Sequence, residues 1–260
     1  MGRRRRSPGW VPNQHGAWAM LLAPVLTGVV LAGPVPAHAL LVAAWLAAYL
    51  AFFAAGLWLR ASRRPRYRPP ALTYGAVTAL LGTALLALHP RLLAWAPVYA
   101  PLLVASLRFS ARRQDRTVTN DVVTVLAACL MLPVAHQVGG GSVWPWEALA
   151  ATWPATVVVA LYFVGTVPYV KTMIRERGNP RMRDASLAFH VVATAVVAVL
   201  AAGWPVGGQV VPGWAVVVVF VALTVRAVVV PRRWPAATPK QVGLGEVVAT
   251  VAVVGALLAG

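Results

Sequence analysis

Arginine-rich segments and long apolar stretches alternate from one end of this chain to the other. Nine stretches approach the roughly 20 predominantly apolar residues that a helix needs to cross a bilayer. They are Ala17–Gly33, Ala37–Leu59, Ala71–Leu88, Leu92–Leu107, Val118–Ala135, Glu147–Pro168, Ser186–Gly203, Gly213–Val230 and Gly243–Gly260. Runs such as Val216–Val219 would suit a strand in water. In lipid every backbone group needs a partner within its own segment, so these stretches read as helices. Pro24, Pro97, Pro101, Pro154 and Pro168 are placed to kink or break them.

The connections sort by charge. Arg3 to Arg6 precede the first span. Arg60, Arg63, Arg64, Arg66 and Arg68 follow the second, and Arg108, Arg112, Arg113 and Arg116 follow the fourth. Lys171, Arg175, Arg177, Arg181 and Arg183 follow the sixth, and Arg232, Arg233 and Lys240 follow the eighth. Of the 23 basic residues, only Arg226, within the eighth span, and Arg91, on the opposite side, stand apart. Positive loops stay in the cytoplasm. The chain therefore reads as an all-α polytopic bundle with a cytoplasmic N-terminus, in a cytoplasmic membrane. Residues 1–16 form a basic segment, and 17–260 form a single transmembrane domain. Ala37-His38-Ala39 resembles a leader cleavage site. The apolar run before it exceeds the roughly 7–15 residues of a leader, so an uncleaved first span is expected.

Composition closes off the other classes. Hydrophobic residues make up 60% and charged residues 11%, against about 45–50% and about 25% in soluble domains. A soluble enzyme would have too little polar surface. The net charge of +17 suits a nucleic-acid binder, but the apolar fraction does not. Disorder is excluded by the apolar surface available for burial. Cys129, the one cysteine, permits no internal disulfide. No residue spacing names a cofactor or metal. His38, His89 and His136 fall at outer span ends, where solvation accounts for them.

Five of the six acids lie on the cytoplasmic side: Asp115, Asp121, Glu176, Asp184 and Glu246. Asp121 follows Thr119-Asn120 at a span entrance, either capping the helix or facing a polar chamber. Glu246 is open to two readings, a first-turn acid meeting the helix dipole or a partner for an arginine of another loop. Asn13-Gln14-His15-Gly16 lies between Trp10 and Trp18 and either anchors the interface or lines a site. The segment from Lys171 to Arg181 continues the sixth helix into water, with Gly178 and Pro180 stopping it. Its cations suit anionic lipid headgroups. His190 is a lone histidine on an apolar face, better read as satisfied by a neighbour than as a ligand.

The stretch Trp10 to Met20, with Lys171 to Gly178 and Pro239 to Glu246, resembles the YwiC-like family of bacterial membrane proteins. The motif residues carried by that resemblance are Asn13, Gln14, His15, Asn120, Asp121, Lys171, Arg175, Glu176, Lys240 and Glu246. All fall on the cytoplasmic side, as residues of one binding site would. A fainter resemblance joins Ala23 to Gly28 and the basic fourth-to-fifth loop to the UbiA prenyltransferases, which implies nine helices around a cytoplasm-facing chamber. The two aspartate-rich motifs that hold magnesium in those enzymes are missing. No acid lies between Arg60 and Pro70, and the later loop has only Glu176 and Asp184.

Two functions are expected from this pattern. In the first, an amphipathic isoprenoid or quinone-like lipid is bound, with its head at Arg112, Arg116, Lys171, Arg175 and Lys240. Asn13, Gln14 and Asn120 would contact the head, and His15 would orient it. Asp121, Glu176 or Glu246 would supply acid–base chemistry if the lipid is transformed. In the second, the chain is a non-enzymatic assembly partner or small-anion permease. Few polar residues beyond Thr83, Thr156 and Thr194 lie at span centres, which weighs against transport.

Overall fold

The computed structural model describes residues 9–12, 15–140, 142–203 and 213–260, apart from the side chains of 15 and 16. Those residues form ten α-helices and no strand. They are α1 (His15–Ala32), α2 (Pro36–Arg60), α3 (Arg68–Leu88), α4 (Ala96–Ala111), α5 (Val118–Cys129), α6 (Met131–Val138), α7 (Pro145–Ile174), α8 (Pro180–Ala201), α9 (Trp214–Arg233) and α10 (Pro239–Leu258). Single 3-10 segments, Pro65–Tyr67 and Pro90–Trp95, lead into α3 and α4. Eight passes are long and apolar enough to cross a membrane, and the apolar part of α1, Ala17–Ala32, is shorter. Among the described residues the protein is a polytopic helical bundle, in which eight of the nine expected spans are long and apolar enough to cross a membrane.

Two local departures have a physical cause in proline. The fifth pass is two helices, broken at Leu130, rather than one. Pro133 has no N–H to give and crowds the carbonyl four residues back, so the helix restarts at Met131. Pro97 does not break the fourth pass; it lies in the first turn of α4, where proline's fixed φ suits a helix start. Pro24, Pro101, Pro154 and Pro168 do lie inside helices.

Helix starts follow capping chemistry. The Thr117, Asn179 and Thr238 side chains accept backbone N–H groups at the heads of α5, α8 and α10. Pro36, Pro145, Pro180 and Pro239 occupy first-turn positions. At the outer end, Glu147 accepts the Val143 and Trp144 N–H groups. His38 accepts from Val35 N–H, and its other ring nitrogen lies 2.9 Å from the Ala135 carbonyl oxygen.

α7 is the axis of the bundle and touches α1, α5, α6, α8, α9 and α10. Its Val158 and Phe163 pack in one cluster with Val125 of α5, Val197 of α8, Phe220 of α9 and Val253 of α10. α3 instead leans on α2 at the periphery. Contacts at one end tie together connections far apart in sequence. Arg60 pairs with Asp115 at 3.0 Å. Lys171 Nζ donates to the Arg116 carbonyl at 2.8 Å. The Tyr74 hydroxyl donates to the Trp10 carbonyl at 2.8 Å, and Arg177 donates to the Ala237 carbonyl. The charge alternation of the sequence is thus an arrangement in space, with the arginine-rich connections meeting at one end.

Candidate functional site

At that end, α1, α5, α7 and α10 line an open cavity of about 350 Å³. The Thr117 cap fixes the head of α5 and places Asp121 one turn inside it. α7 is 30 residues long and carries Lys171 and Arg175, four apart and so on one face, to its last turn and cap. α10 contributes Glu246 and Thr250 at the same spacing. α1 offers Ala17, Ala19 and Met20. Small side chains on α1 let it approach closely, as is usual where helices meet in lipid.

Three of the four charged residues that line the cavity are paired. Lys171 Nζ is 2.9 Å from Asp121 Oδ2, and their side chains are 11% and 31% exposed. Lys171 thus bridges the carboxylate of α5 and the Arg116 carbonyl just before it. Deeper in, Arg226 Nη1 of α9 lies 2.9 Å from Glu246 Oε1, with side chains 18% and 11% exposed. The Arg226 guanidinium also sits 4.1 Å from the centre of the Tyr169 ring. That ring face supports a cation whose Nε and Nη2 are buried without hydrogen-bond partners. Tyr162 Oη lies 2.9 Å from the Glu246 carbonyl oxygen, 3.4 Å from its Oε2 and 2.9 Å from Thr250 Oγ1. Thr250 donates to the Glu246 carbonyl at 2.7 Å. Glu246 of α10 is therefore held by groups from two neighbouring helices, α7 and α9. Arg175 lines the cavity with no carboxylate partner among the described residues.

Of the residues expected from sequence, Asp121, Lys171, Arg175 and Glu246 share this cavity. The others among the described residues do not line it. Asn120 is buried beside it, but its Nδ2 donates to the Asp115 carbonyl and braces the α4–α5 connection. Arg116 contributes its carbonyl, while its side chain is exposed. Arg112 and Lys240 are exposed. Glu176 accepts from Asn179 Nδ2 at 2.9 Å, outside the cavity. Asn13, Gln14 and the His15 side chain lie outside the described residues. His190 has a local partner: its Nδ1 is 2.7 Å from the Ser186 carbonyl oxygen.

The chain is 34% identical over 195 residues to "Uncharacterized protein YwiC" of Bacillus subtilis (strain 168), covering 75% of this chain and 79% of that protein. It belongs to the YwiC-like family. The family model described as "YwiC-like protein" matches residues 11–136. An uncharacterized protein of Haemophilus influenzae is 28% identical over 192 residues, covering 73% of this chain and 77% of the relative. No solved structure matches the chain. In this YwiC-like protein the family model covers Asp121 and ends before Lys171 and Glu246.

Sequence reasoning missed Arg226, Tyr162 and Thr250. Arg226 had a signal: a lone cation in a valine-rich span is costly unless paired, and so marks a site. Its place within the eighth span still gives no hint that Glu246 is its partner. Tyr162 and Thr250 have no such mark, because isolated hydroxyls are common in spanning helices.

Proposed function

We propose that this protein binds an amphipathic isoprenoid or quinone-like lipid, with its polar head in the cavity between α1, α5, α7 and α10. The supporting observation is that a cavity bearing charged groups adjoins an apolar groove. A groove of about 530 Å³ runs along α1 and α10, lined by Trp18, Leu22, Leu26, Val30, Val247 and Val251. The cavity and the groove share Ala19 and Thr250. A head placed beside Lys171 and Arg175 would leave its tail to run down this groove at the lipid boundary.

The charge pairing sets the type of head. Asp121 offsets Lys171, and Glu246 offsets Arg226, so Arg175 supplies the surplus positive charge. A neutral polar or singly anionic head fits that balance. The positive-inside pattern puts the site at the cytoplasmic leaflet. A UbiA-like chamber is part of this reading, without the diphosphate chemistry that the aspartate-rich motifs serve. Asp121 and Glu246 are the cavity's acid–base groups if the lipid is transformed.

Trp18 lines the groove and is a built-in reporter. Full-length protein in detergent is titrated with a decyl-chain quinone and with farnesyl monophosphate, following tryptophan fluorescence. Saturable quenching by at least one probe is expected. Arg175→Ala and Lys171→Ala should each weaken that binding about tenfold, the loss of one charge-assisted contact. Equal affinity in both variants and the parent protein would remove the headgroup assignment.

A further inference from the structure

A second basic hollow lies on the opposite side of the α7 terminus. Lys171, Ile174 and Arg175 face the cavity described above, whereas Thr172, Met173 and Arg177 line a hollow of about 120 Å³. Three elements each send one arginine to it. Arg177 comes from the turn after α7, Arg183 from the start of α8 and Arg232 from the last turn of α9. No carboxylate is among its lining residues. Two acids adjoin it in sequence and neither lines it: Asp184 contacts Arg183 at 3.2 Å with a side chain 66% exposed, and Glu176, beside Arg177, accepts from Asn179 Nδ2 at 2.9 Å.

The walls are fixed by backbone contacts. Arg177 donates through Nε to the Met173 carbonyl and through Nη2 to the Ala237 carbonyl, which braces the end of α7 against the α9–α10 connection. Three of its five N–H groups remain free after those bonds. Pro180, Pro231 and Pro235 form much of the remaining wall, and their fixed φ limits its motion. Three arginines line one small hollow with no carboxylate among its lining residues, so their charges repel one another. A bound anion removes that repulsion, and the forked donors of arginine match the oxygens of a phosphate group.

We propose that this hollow is a second ligand site, which takes a phosphate group through Arg177, Arg183 and Arg232. The group comes either from the headgroup of an anionic lipid or from free phosphate; basic pockets between helices at this membrane face bind lipid headgroups by the same chemistry. The site is independent of the lipid reading of the first cavity, since no residue lines both.

The test uses full-length protein in detergent, with R183Q, R232Q and the double variant. Arg177 is left intact because it also braces the fold. Melting temperature is followed against inorganic phosphate at constant ionic strength, and bound phosphatidylglycerol is counted by native mass spectrometry. At least one probe should bind, with affinity reduced about tenfold in R183Q/R232Q and unchanged in Arg175→Ala. Stabilisation by inorganic phosphate identifies a free phosphate site; binding of phosphatidylglycerol alone identifies a headgroup site. Binding of neither probe, or full affinity in the double variant, overturns the proposal. A loss confined to Arg175→Ala also overturns it, because the anion then sits in the first cavity and leaves that reading intact.

Discussion

α7 and α3 are both long apolar helices, yet they are packed in opposite ways. In the most apolar window of the pass Pro145–Ile174, 56% of residues are buried; in that of Pro65–Leu88, 6% are. Hydropathy selects a membrane solvent but says little about neighbours, since lipid tails are as apolar as leucine. What separates the two helices is small-residue contact and polar partners. α7 carries Tyr162, Lys171 and Arg175 to the cavity and packs Gly165 against Phe189. On α3, Gly75 and Gly82 face open space. The function proposed above is borne by the buried axis, while the outer helix meets lipid.

Substitutions can break this contrast, and their expected effects fall in order. Glu246→Ala leaves Arg226 buried beside Tyr169 without its counter-ion. A loss of about 3–5 kcal/mol is expected in detergent unfolding experiments. Adding Arg226→Met should recover part of that loss, because no stranded charge remains. An equal or larger loss in the double variant would show that the pair is not the source.

Gly28→Ala comes next. A Cβ at Gly28 would lie 2.2 Å from the Leu132 carbonyl oxygen, where α1 crosses α6. Backbone must then move, at a cost of about 1–3 kcal/mol. Gly82→Ala, on the open face of α3, should change stability by no more than about 0.5 kcal/mol. Similar melting curves for the two glycine variants would contradict the assigned α1–α6 contact. The smallest effect is expected for Leu80→Ala, at a side chain 70% exposed on α3. Its unfolding free energy should stay within about 0.5 kcal/mol of the parent. A larger loss would mean that α3 has a protein partner rather than lipid against that face.

Span number and the arginine-rich end were legible because both rest on strong local terms, apolar length and loop charge. Directions of side chains were not. Charge alone places Arg112, Arg116 and Lys240 on the correct side, and they are exposed as Arg175 is, but only Arg175 lines the cavity, and nothing local in the sequence marks that difference. Glu246 shows how a boundary alters a role. α10 begins at Pro239 behind the Thr238 cap, about one turn before Gly243. Glu246 therefore lies beyond the first turn, where pairing with Arg226 replaces an interaction with the helix dipole. The Thr238-Pro239 start was readable as a cap followed by proline at the first helical position. The Arg226–Glu246 pair required tertiary structure, since it joins neighbouring helices rather than a helix and a loop. Asp121 was a capping candidate, but Thr117 performs that task and frees the carboxylate to meet Lys171.

On the reading proposed above, the cavity at the arginine-rich end holds the head of a lipid. Native mass spectrometry of the full-length protein, released gently from detergent, reads this directly. A retained isoprenoid or quinone-class mass is expected on the parent protein, reduced by Arg175→Ala and unaffected by Leu80→Ala. A bare protein mass throughout, or the same lipid retained equally by Arg175→Ala, would contradict it.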